Sequence, residues 1–92
     1  MATVVHQPDL ARYEIYVDGT LAGFTQYRVT PDAVDFVHTE IDDAYEGHGL
    51  GGQLARGALG QVRATGRKVI ATCPFIKAWI ADHNGYQDLL AA

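Results

Sequence analysis

Seven consecutive residues are the part of the sequence best suited to binding an anion: Glu46, Gly47, His48, Gly49, Leu50, Gly51 and Gly52. They lie between a stretch typical of a strand and a stretch typical of a helix. Backbone without bulky side chains lets several N–H groups converge on one anion, and the positive end of a helix dipole favours negative charge there. The segment therefore predicts a phosphate or diphosphate site. The alternative is a flexible connection with a glycine cap.

Three side chains outside this segment could take part in group transfer. Cys73 ends a buried strand and precedes a helix that begins with Pro74, and a helix N-terminus makes a thiolate more stable and a thiol more useful as a nucleophile. A small buried hydrophobe is the alternative for Cys73. His38 and Glu40 alternate with Phe36, so we expect one strand face to carry all three. Either polar residue could act as a general base, and a structural histidine is the alternative for His38.

Three other polar residues could contact a ligand. His48, if protonated, could assist phosphate binding, and Lys77 could reach a phosphate from the second helix. His83 could line the far end of a ligand or cap the polar segment 82–84. Solvated side chains are the alternative for His48 and Lys77. The histidines lack a spacing such as His-x-x-x-His, so we predict no metal site.

The sequence pattern of the first half of the chain predicts an antiparallel β-meander. Residues Arg12–Val17 alternate between apolar and polar, which indicates a half-buried strand. Asp18-Gly19 predicts a type I′ turn into a second strand, Leu21–Val29, because both turn positions need positive φ. A turn at Thr30–Ala33 then leads to a third strand, Val34–Ile41.

The second half predicts α-β-α. Residues Leu50–Thr65 carry one apolar stripe, which predicts a helix. Gly57 and Gly60 inside it are expected to lie close against the sheet. Val69–Thr72 reads as a buried strand, parallel to the third strand because a helix connects them. A second helix runs from Pro74 to near Asn84. The predicted fold class is α/β (α+β), in the order β-β-β-α-β-α.

Length and composition narrow the class of protein. The chain has 92 residues, a net charge of −4 and one cysteine, which predicts a single domain over residues 1–92 without a disulfide. The acidic balance argues against nucleic acid as a partner. No apolar run approaches the roughly 20 residues that cross a bilayer, and the first residues do not resemble a signal peptide. We therefore expect a cytoplasmic protein with no membrane partner.

Two common phosphate-binding motifs do not fit the glycine segment. The spacing Gly47-x-Gly49-x-x-Gly52 matches the dinucleotide fingerprint, but an antiparallel meander precedes it. No acidic residue ends the next strand, as that fingerprint requires. A Walker loop is excluded because no Lys-Ser or Lys-Thr pair follows the glycines.

The segment instead resembles the signature of the GNAT superfamily of acetyl-CoA-dependent N-acetyltransferases, Gln/Arg-x-x-Gly-x-Gly/Ala. Residues 46–51 match it, with Glu46 in the first position where the superfamily has Gln or Arg. A small, shortened branch of the superfamily is similar over roughly residues 11–90. That branch's recurrent pattern corresponds here to His38-Thr39-Glu40 and to Cys73-Pro74-Phe75, followed by Trp79, His83 and Tyr86.

The resemblance implies an acetyl-CoA-binding N-acetyltransferase acting on an amine that the sequence does not identify. The diphosphate would lie on the amides of the glycine segment, and the pantetheine arm between the strands ending at Ile41 and Thr72. Transfer would be direct or through S-acetyl-Cys73, with His38 or Glu40 moving the proton. The implied cofactor-binding residues are Ile41, Glu46, Gly47, His48, Gly49, Leu50, Gly51, Gly52, Pro74, Lys77 and His83.

Two alternatives to an enzyme remain at this point. One is a CoA- or acyl-CoA-binding module without catalysis, in which a short chain leaves the acceptor site unformed. The other is a protein-interaction domain, in which the edge of the meander pairs with another chain. The sequence leaves the oligomeric state open.

Overall fold

Residues 1–91, the part of the chain that the computed structural model describes, form a five-stranded sheet and two helices. The strands are β1 (Ala2–Gln7), β2 (Arg12–Val17), β3 (Thr20–Val29), β4 (Ala33–Ile41) and β5 (Lys68–Ala71), and the helices are α1 (Leu50–Ala64) and α2 (Pro74–Asp82). Strand order follows the sequence, and every pairing is antiparallel except that of β4 with β5. This confirms the predicted α/β (α+β) class.

Both helices pack on one face of the sheet around a single apolar core. Ile15 and Phe36 from the sheet, Leu54 from α1 and Ile76 from α2 are fully buried in the same cluster. The opposite face of the sheet carries the alternate, mostly polar residues of the strands. No helix within residues 1–91 has the length and apolar character needed to cross a bilayer.

Residues with positive φ form the turn between β2 and β3 and follow the end of α1. Asp18 and Gly19 both have positive φ, at 49° and 84°, which confirms the type I′ turn between β2 and β3. Gly66 follows α1 with φ at 77°, a conformation that glycine adopts without steric cost and that commonly terminates helices.

The strand β1 is absent from the sequence prediction. It pairs antiparallel with β2, and Val4 in it packs against α1. A Cβ atom at Gly57 would lie 2.7 Å from Cγ2 of Val4, so the predicted close approach at Gly57 is confirmed, with the missed strand as its partner. The same prediction for Gly60 is wrong, because open space surrounds that position.

A β-bulge in β4 overturns the predicted strand face. Two neighbouring residues of β3 pair with Phe36 and His38, which leaves Val37 as an extra residue in β4. Such an insertion shifts the alternation of the strand by one. Phe36 therefore lies in the core, whereas His38 and Glu40 lie on the opposite, exposed face. The expectation that the three share one face is wrong.

The open face of the sheet contains a buried carboxylate. Glu14 in β2 is only 2% exposed. An Nη2 atom of Arg12 lies 2.6 Å from one of its oxygens, and the Tyr16 hydroxyl donates a hydrogen bond of 2.7 Å to the other. The Arg12 guanidinium also lies over the Phe24 ring, 4.5 Å from its centroid. These contacts satisfy a charge that would otherwise be costly to bury.

The Glu14 carboxylate should make the stability of the fold depend on pH, with a loss in acid. Burial raises the pKa of Glu14, but hydrogen bonds from Tyr16 and Arg12 outweigh it and leave the pKa below its ordinary 4.5. Asp35 behaves similarly: burial raises its pKa, and hydrogen bonds from Thr72 and Arg28 bring it below 3.8. A depressed folded-state pKa stabilises the fold above the unfolded pKa, and that stabilisation is lost as the pH falls through the folded pKa. We therefore expect the free energy of unfolding to decrease as the pH drops below about 5.

The variant Glu14→Gln tests this in urea unfolding at a series of pH values. We expect it to be about 3 kcal/mol less stable than the wild type at pH 7, since it leaves Arg12 without its partner. We also expect a shallower loss of stability in acid. Glu46→Gln, at an exposed position, is the matched control and should change stability by less than about 0.5 kcal/mol. An acid slope that Glu14→Gln leaves unchanged would contradict this assignment.

Candidate functional site

The two parallel strands separate at their C-terminal ends. Pairing of β4 with β5 ends at Phe36 and Ala71, and the Cys73 N–H then donates a last bond of 2.8 Å to the Phe36 carbonyl. Beyond that point β4 continues through residues 37–41, while the other chain segment turns into α2. The gap between them lies outside the carboxyl end of β5, where ligands bind in sheets of this kind.

The edge of β4 that faces this gap carries free backbone groups. The Asp42 N–H donates to the Ala22 carbonyl of β3 at 2.8 Å. Because backbone groups of successive strand residues point in opposite directions, those of Thr39 and Ile41 point away from β3 and into the gap. An extended molecule that contains amides can pair with this edge as a further strand would.

The glycine segment presents a run of free amides beside the gap. In the described chain no backbone or side-chain acceptor takes the N–H groups of residues 47–52, and the first bond of α1 runs from the Gln53 N–H to the Gly49 carbonyl. Gly47 and Gly49 have φ of 81° and 72°, a left-handed conformation that favours glycine. No side chain caps α1. The amides are therefore free to bind an anion.

The last two glycines of the segment also let α2 approach it. A Cβ atom at Gly51 would lie 3.0 Å from Cζ of Phe75, and one at Gly52 would lie 3.5 Å from Nε1 of Trp79. The indole N–H is thus a further donor beside the N-terminus of α1. The Arg56 guanidinium lies 5.5 Å from the Trp79 ring centroid. Arg56 is not among the residues predicted from the sequence, although its position four residues after Gly52 places both on one helix face.

Cys73 is a free thiol and is 4% exposed. Its Sγ atom lies 3.4 Å from Oγ1 of Thr39, which lies 2.9 Å from Oγ1 of the fully buried Thr25. The polar contact of the sulfur is therefore a threonine hydroxyl. Thr39 is not among the site residues predicted from the sequence, although it is the middle residue of the His38-Thr39-Glu40 motif.

His38 and Glu40 form a pair on the other face of β4. Nε2 of His38 lies 2.8 Å from Oε2 of Glu40, and the two side chains are 55% and 61% exposed. Thr39, between them in sequence, points toward Cys73, so His38 and Glu40 point away from it. His38 is therefore not placed to deprotonate Cys73. The pair remains available to a molecule that approaches from the exposed face.

A cavity of about 370 Å³ opens at the ends of β3 and β4. The residues that line it are Leu21, Ala22, Gly23, Phe24, Glu40, Ile41, Asp42 and Asp43. Three of these carry carboxyl groups, including Glu40 of the pair just described. A cationic group is therefore the guest that this lining favours.

The remaining predicted residues of the glycine segment differ in exposure. Glu46 is exposed, and so is His48, whose ring meets that of Tyr45 edge-on with 6.4 Å between centroids. Leu50 is buried and belongs to the core. Its predicted contribution to the site is therefore confined to the backbone.

The predicted residues of α2 occupy its first turn and its end. Pro74 begins the helix and is exposed, as is Lys77. The His83 Nδ1–H donates to the Trp79 carbonyl at 2.7 Å, and its ring stacks on the indole with 3.9 Å between centroids. These two contacts hold His83 against the end of α2.

Comparison with protein families matches most of the chain. Residues 12–89 match the model of the GCN5-related N-acetyltransferase family. Among solved structures, a GCN5-like protein of Staphylococcus aureus superimposes with a TM-score of 0.73 at 23% identity, covering 98% of this chain and 88% of that one. The ribosomal-protein-alanine N-acetyltransferase of Brucella melitensis gives 0.63 at 19% identity, covering 88% and 61%. These structures share the fold described above.

Curated relatives match over a shorter stretch. Protein NATD1 of chicken and of human is 38% identical over 50 residues, which is 54% of this chain. The match spans 46% of the chicken protein and 44% of the human one. The chain thus spans less than half the length of the curated relatives it matches.

Proposed function

Because this chain belongs to the GCN5-related N-acetyltransferase family, we propose that it binds acetyl-CoA and transfers the acetyl group to a primary amine. The observation that carries the proposal is the run of amides without acceptors at residues 47–52. A diphosphate supplies the acceptors these amides need, and the dipole of α1 adds attraction. The Trp79 indole N–H and the Arg56 guanidinium provide further donors beside it.

The pantetheine arm of the cofactor suits the gap between β4 and β5. It is extended and contains amides, so it can bond to the free backbone groups of Thr39 and Ile41. In that direction the thioester comes to lie toward the point where the strands separate, near Phe36 and Cys73. The glycine segment and the gap are then parts of one site.

The acceptor amine is proposed to enter from the acidic cavity beside Glu40. An ammonium group is attracted by the three carboxyl groups of the lining. Glu40, oriented by its bond to His38, would act as general base and take the proton that the amine loses. The amine nitrogen then bonds to the acetyl carbon, the C–S bond breaks, and CoA leaves as the thiolate.

A second route passes through Cys73. It is favoured by the location of the thiol, at the N-terminus of α2 and at the separation of the strands. In this route Sγ bonds to the acetyl carbon, the C–S bond to CoA breaks, and the departing CoA thiolate takes the thiol proton. The amine nitrogen later bonds to the acetyl carbon, the bond to Sγ breaks, and the Cys73 thiolate takes the proton that the amine loses. The thiol is 4% exposed and its hydrogen-bond partner is a threonine hydroxyl, so neither His38 nor Glu40 is placed to remove its proton. The direct route therefore agrees better with the geometry.

Titration of the isotopically labelled chain with CoA tests the proposal by NMR. We expect saturable binding with the largest amide shifts at residues 47–52, Thr39 and Ile41. Pantetheine, which lacks the diphosphate, should bind far more weakly. No binding, or shifts confined to another surface, would overturn the cofactor assignment. Binding without CoA release in the presence of acetyl-CoA and simple primary amines would favour the non-catalytic module.

A further inference from the structure

A second cavity, of about 220 Å³, lies at the opposite end of the sheet. The residues that line it are His6, Tyr13, Tyr27, Val29, Val34, Val62, Thr65 and Arg67. Between Val34 here and Ile41 at the first cavity, β4 rises about 23 Å, at roughly 3.3 Å per residue. The second cavity is therefore separate from the first cavity and from the glycine segment that follows β4.

The charge of this lining differs from that of the chain as a whole. The chain carries a net charge of −4, yet none of the lining residues has a carboxyl group. The cation is Arg67, whose Nη1 donates to the Thr30 carbonyl at 3.1 Å. That bond fixes the guanidinium at the cavity and uses only part of its five N–H donors. The cavity therefore favours a negatively charged guest.

A buried tyrosine adds an unpaired donor. Tyr13 is 4% exposed, and its hydroxyl has no hydrogen-bond partner within residues 1–91. No fully enclosed polar side-chain atom of those residues lacks a partner, so this hydroxyl reaches the cavity or water. Burial, together with the charge of an ionised Tyr27, raises the pKa of Tyr13 to about 12. The phenol therefore keeps its proton at neutral pH.

Flat rings form much of the remaining wall. The His6 ring stacks on Tyr13 with 4.3 Å between centroids, and Nε2 of His6 lies 2.6 Å from the Tyr27 hydroxyl. Such surfaces pack well against another planar ring. The volume is below the roughly 300–1,000 Å³ typical of sites for drug-sized ligands, so the guest has a single ring.

The end of α1 at this cavity does not favour a cation instead. Carbonyl groups at a helix C-terminus attract positive charge when they are free. Here the Val62 carbonyl accepts bonds from the N–H and hydroxyl of Thr65, and the Arg63 carbonyl accepts one from the Gly66 N–H. Two of the last four carbonyl groups of α1 are thus already hydrogen-bonded within the chain.

We propose that this cavity binds a small aromatic carboxylate, with the ring between the aromatic walls and the carboxylate against Arg67 and the Tyr13 hydroxyl. The site is independent of the acetyl-CoA site. It gives the protein a second ligand, at the end of the sheet opposite the glycine segment.

Benzoate, benzamide and benzamidine are the probes that test this site, since they share a ring and differ in charge. In NMR titration of the labelled full chain, benzoate should bind saturably and shift amides of the lining residues. Benzamide and benzamidine should bind at least about tenfold more weakly, because neither brings a negative charge to the Arg67 guanidinium. Equal binding of all three, no saturable shift at millimolar benzoate, or shifts confined to residues 47–52 would overturn the proposal.

Two variants locate the contacts. Arg67→Gln should weaken benzoate binding about tenfold or more, and Tyr13→Phe should weaken it severalfold while preserving the ring. Arg56→Gln, in the middle of α1 and outside the lining of this cavity, is the matched control and should leave benzoate binding unchanged. Neither cavity variant should alter the shifts that CoA causes at residues 47–52, so the two sites can fail separately. Unchanged benzoate affinity in both folded variants would contradict the proposal.

Discussion

Replacing Gly52 by aspartate is expected to weaken CoA binding by about tenfold to a hundredfold without destabilising the fold. The carboxylate would lie at the N-terminus of α1, where it can accept hydrogen bonds from the free amides that the diphosphate needs. It would also repel the diphosphate directly. An acidic residue in the first helical turn is favourable for the helix itself. Calorimetric titration with CoA measures the loss, and thermal unfolding verifies the fold.

Gly52→Ala is the matched control, because it adds the Cβ atom without the charge. That atom would lie at an ordinary contact distance of 3.5 Å from Nε1 of Trp79. Alanine stabilises a helix by up to about 1 kcal/mol relative to glycine, so this variant should be slightly more stable and should bind CoA nearly as well. If both variants lost binding equally, the cause would be steric. If neither lost binding, the diphosphate would not lie on these amides.

Features set by neighbouring residues were readable from the sequence. The Asp18-Gly19 turn requires positive φ at two adjacent positions, and only one common hairpin turn meets that requirement. The glycines that precede Leu50 indicate the start of α1. The helix that connects β4 with β5 indicates that these two strands are parallel. The free amides of residues 47–52 follow from the same local pattern. Their binding partner remains a prediction.

The bulge at Val37 could not be read from the sequence. Residues Val34–Ile41 alternate well enough to suggest an uninterrupted strand, and the extra residue becomes visible only when β3 pairs with β4. One residue of slip moves every later side chain to the other face. This places Thr39, rather than His38, against Cys73. The alternation in the sequence therefore identified the His38-Thr39-Glu40 motif but assigned its side chains to the wrong faces of β4.

Contacts between distant segments were also beyond the sequence. β1 has little polar alternation and is held by pairing with β2 and by the approach of α1 at Gly57. The indole of Trp79 reaches Gly52 only because α2 packs beside α1. The second cavity joins His6 of β1 to Arg67 after α1. Each of these depends on tertiary packing, which periodicity does not encode.

Glu40→Gln is expected to lower kcat/KM for acetyl transfer by about a hundredfold or more, because general base catalysis contributes roughly 10²–10⁴-fold. The amide has the shape of the carboxylate and cannot accept a proton from the amine. CoA affinity should be preserved, since the proposed cofactor contacts on β4 are backbone groups. The measurement is CoA release from acetyl-CoA with a primary amine found to support turnover by the wild type.

Cys73→Ala separates the two routes, because the bulge at Val37 places Glu40 and Cys73 on opposite faces of β4. Direct transfer predicts turnover near the wild-type value for Cys73→Ala, together with a large loss for Glu40→Gln. The covalent route predicts the reverse order. His38→Gln should cause a smaller loss than Glu40→Gln, since its ring only orients the carboxylate. If Glu40→Gln turned over at the wild-type rate, Glu40 would not be the base and the proposed acceptor side of the sheet would be wrong.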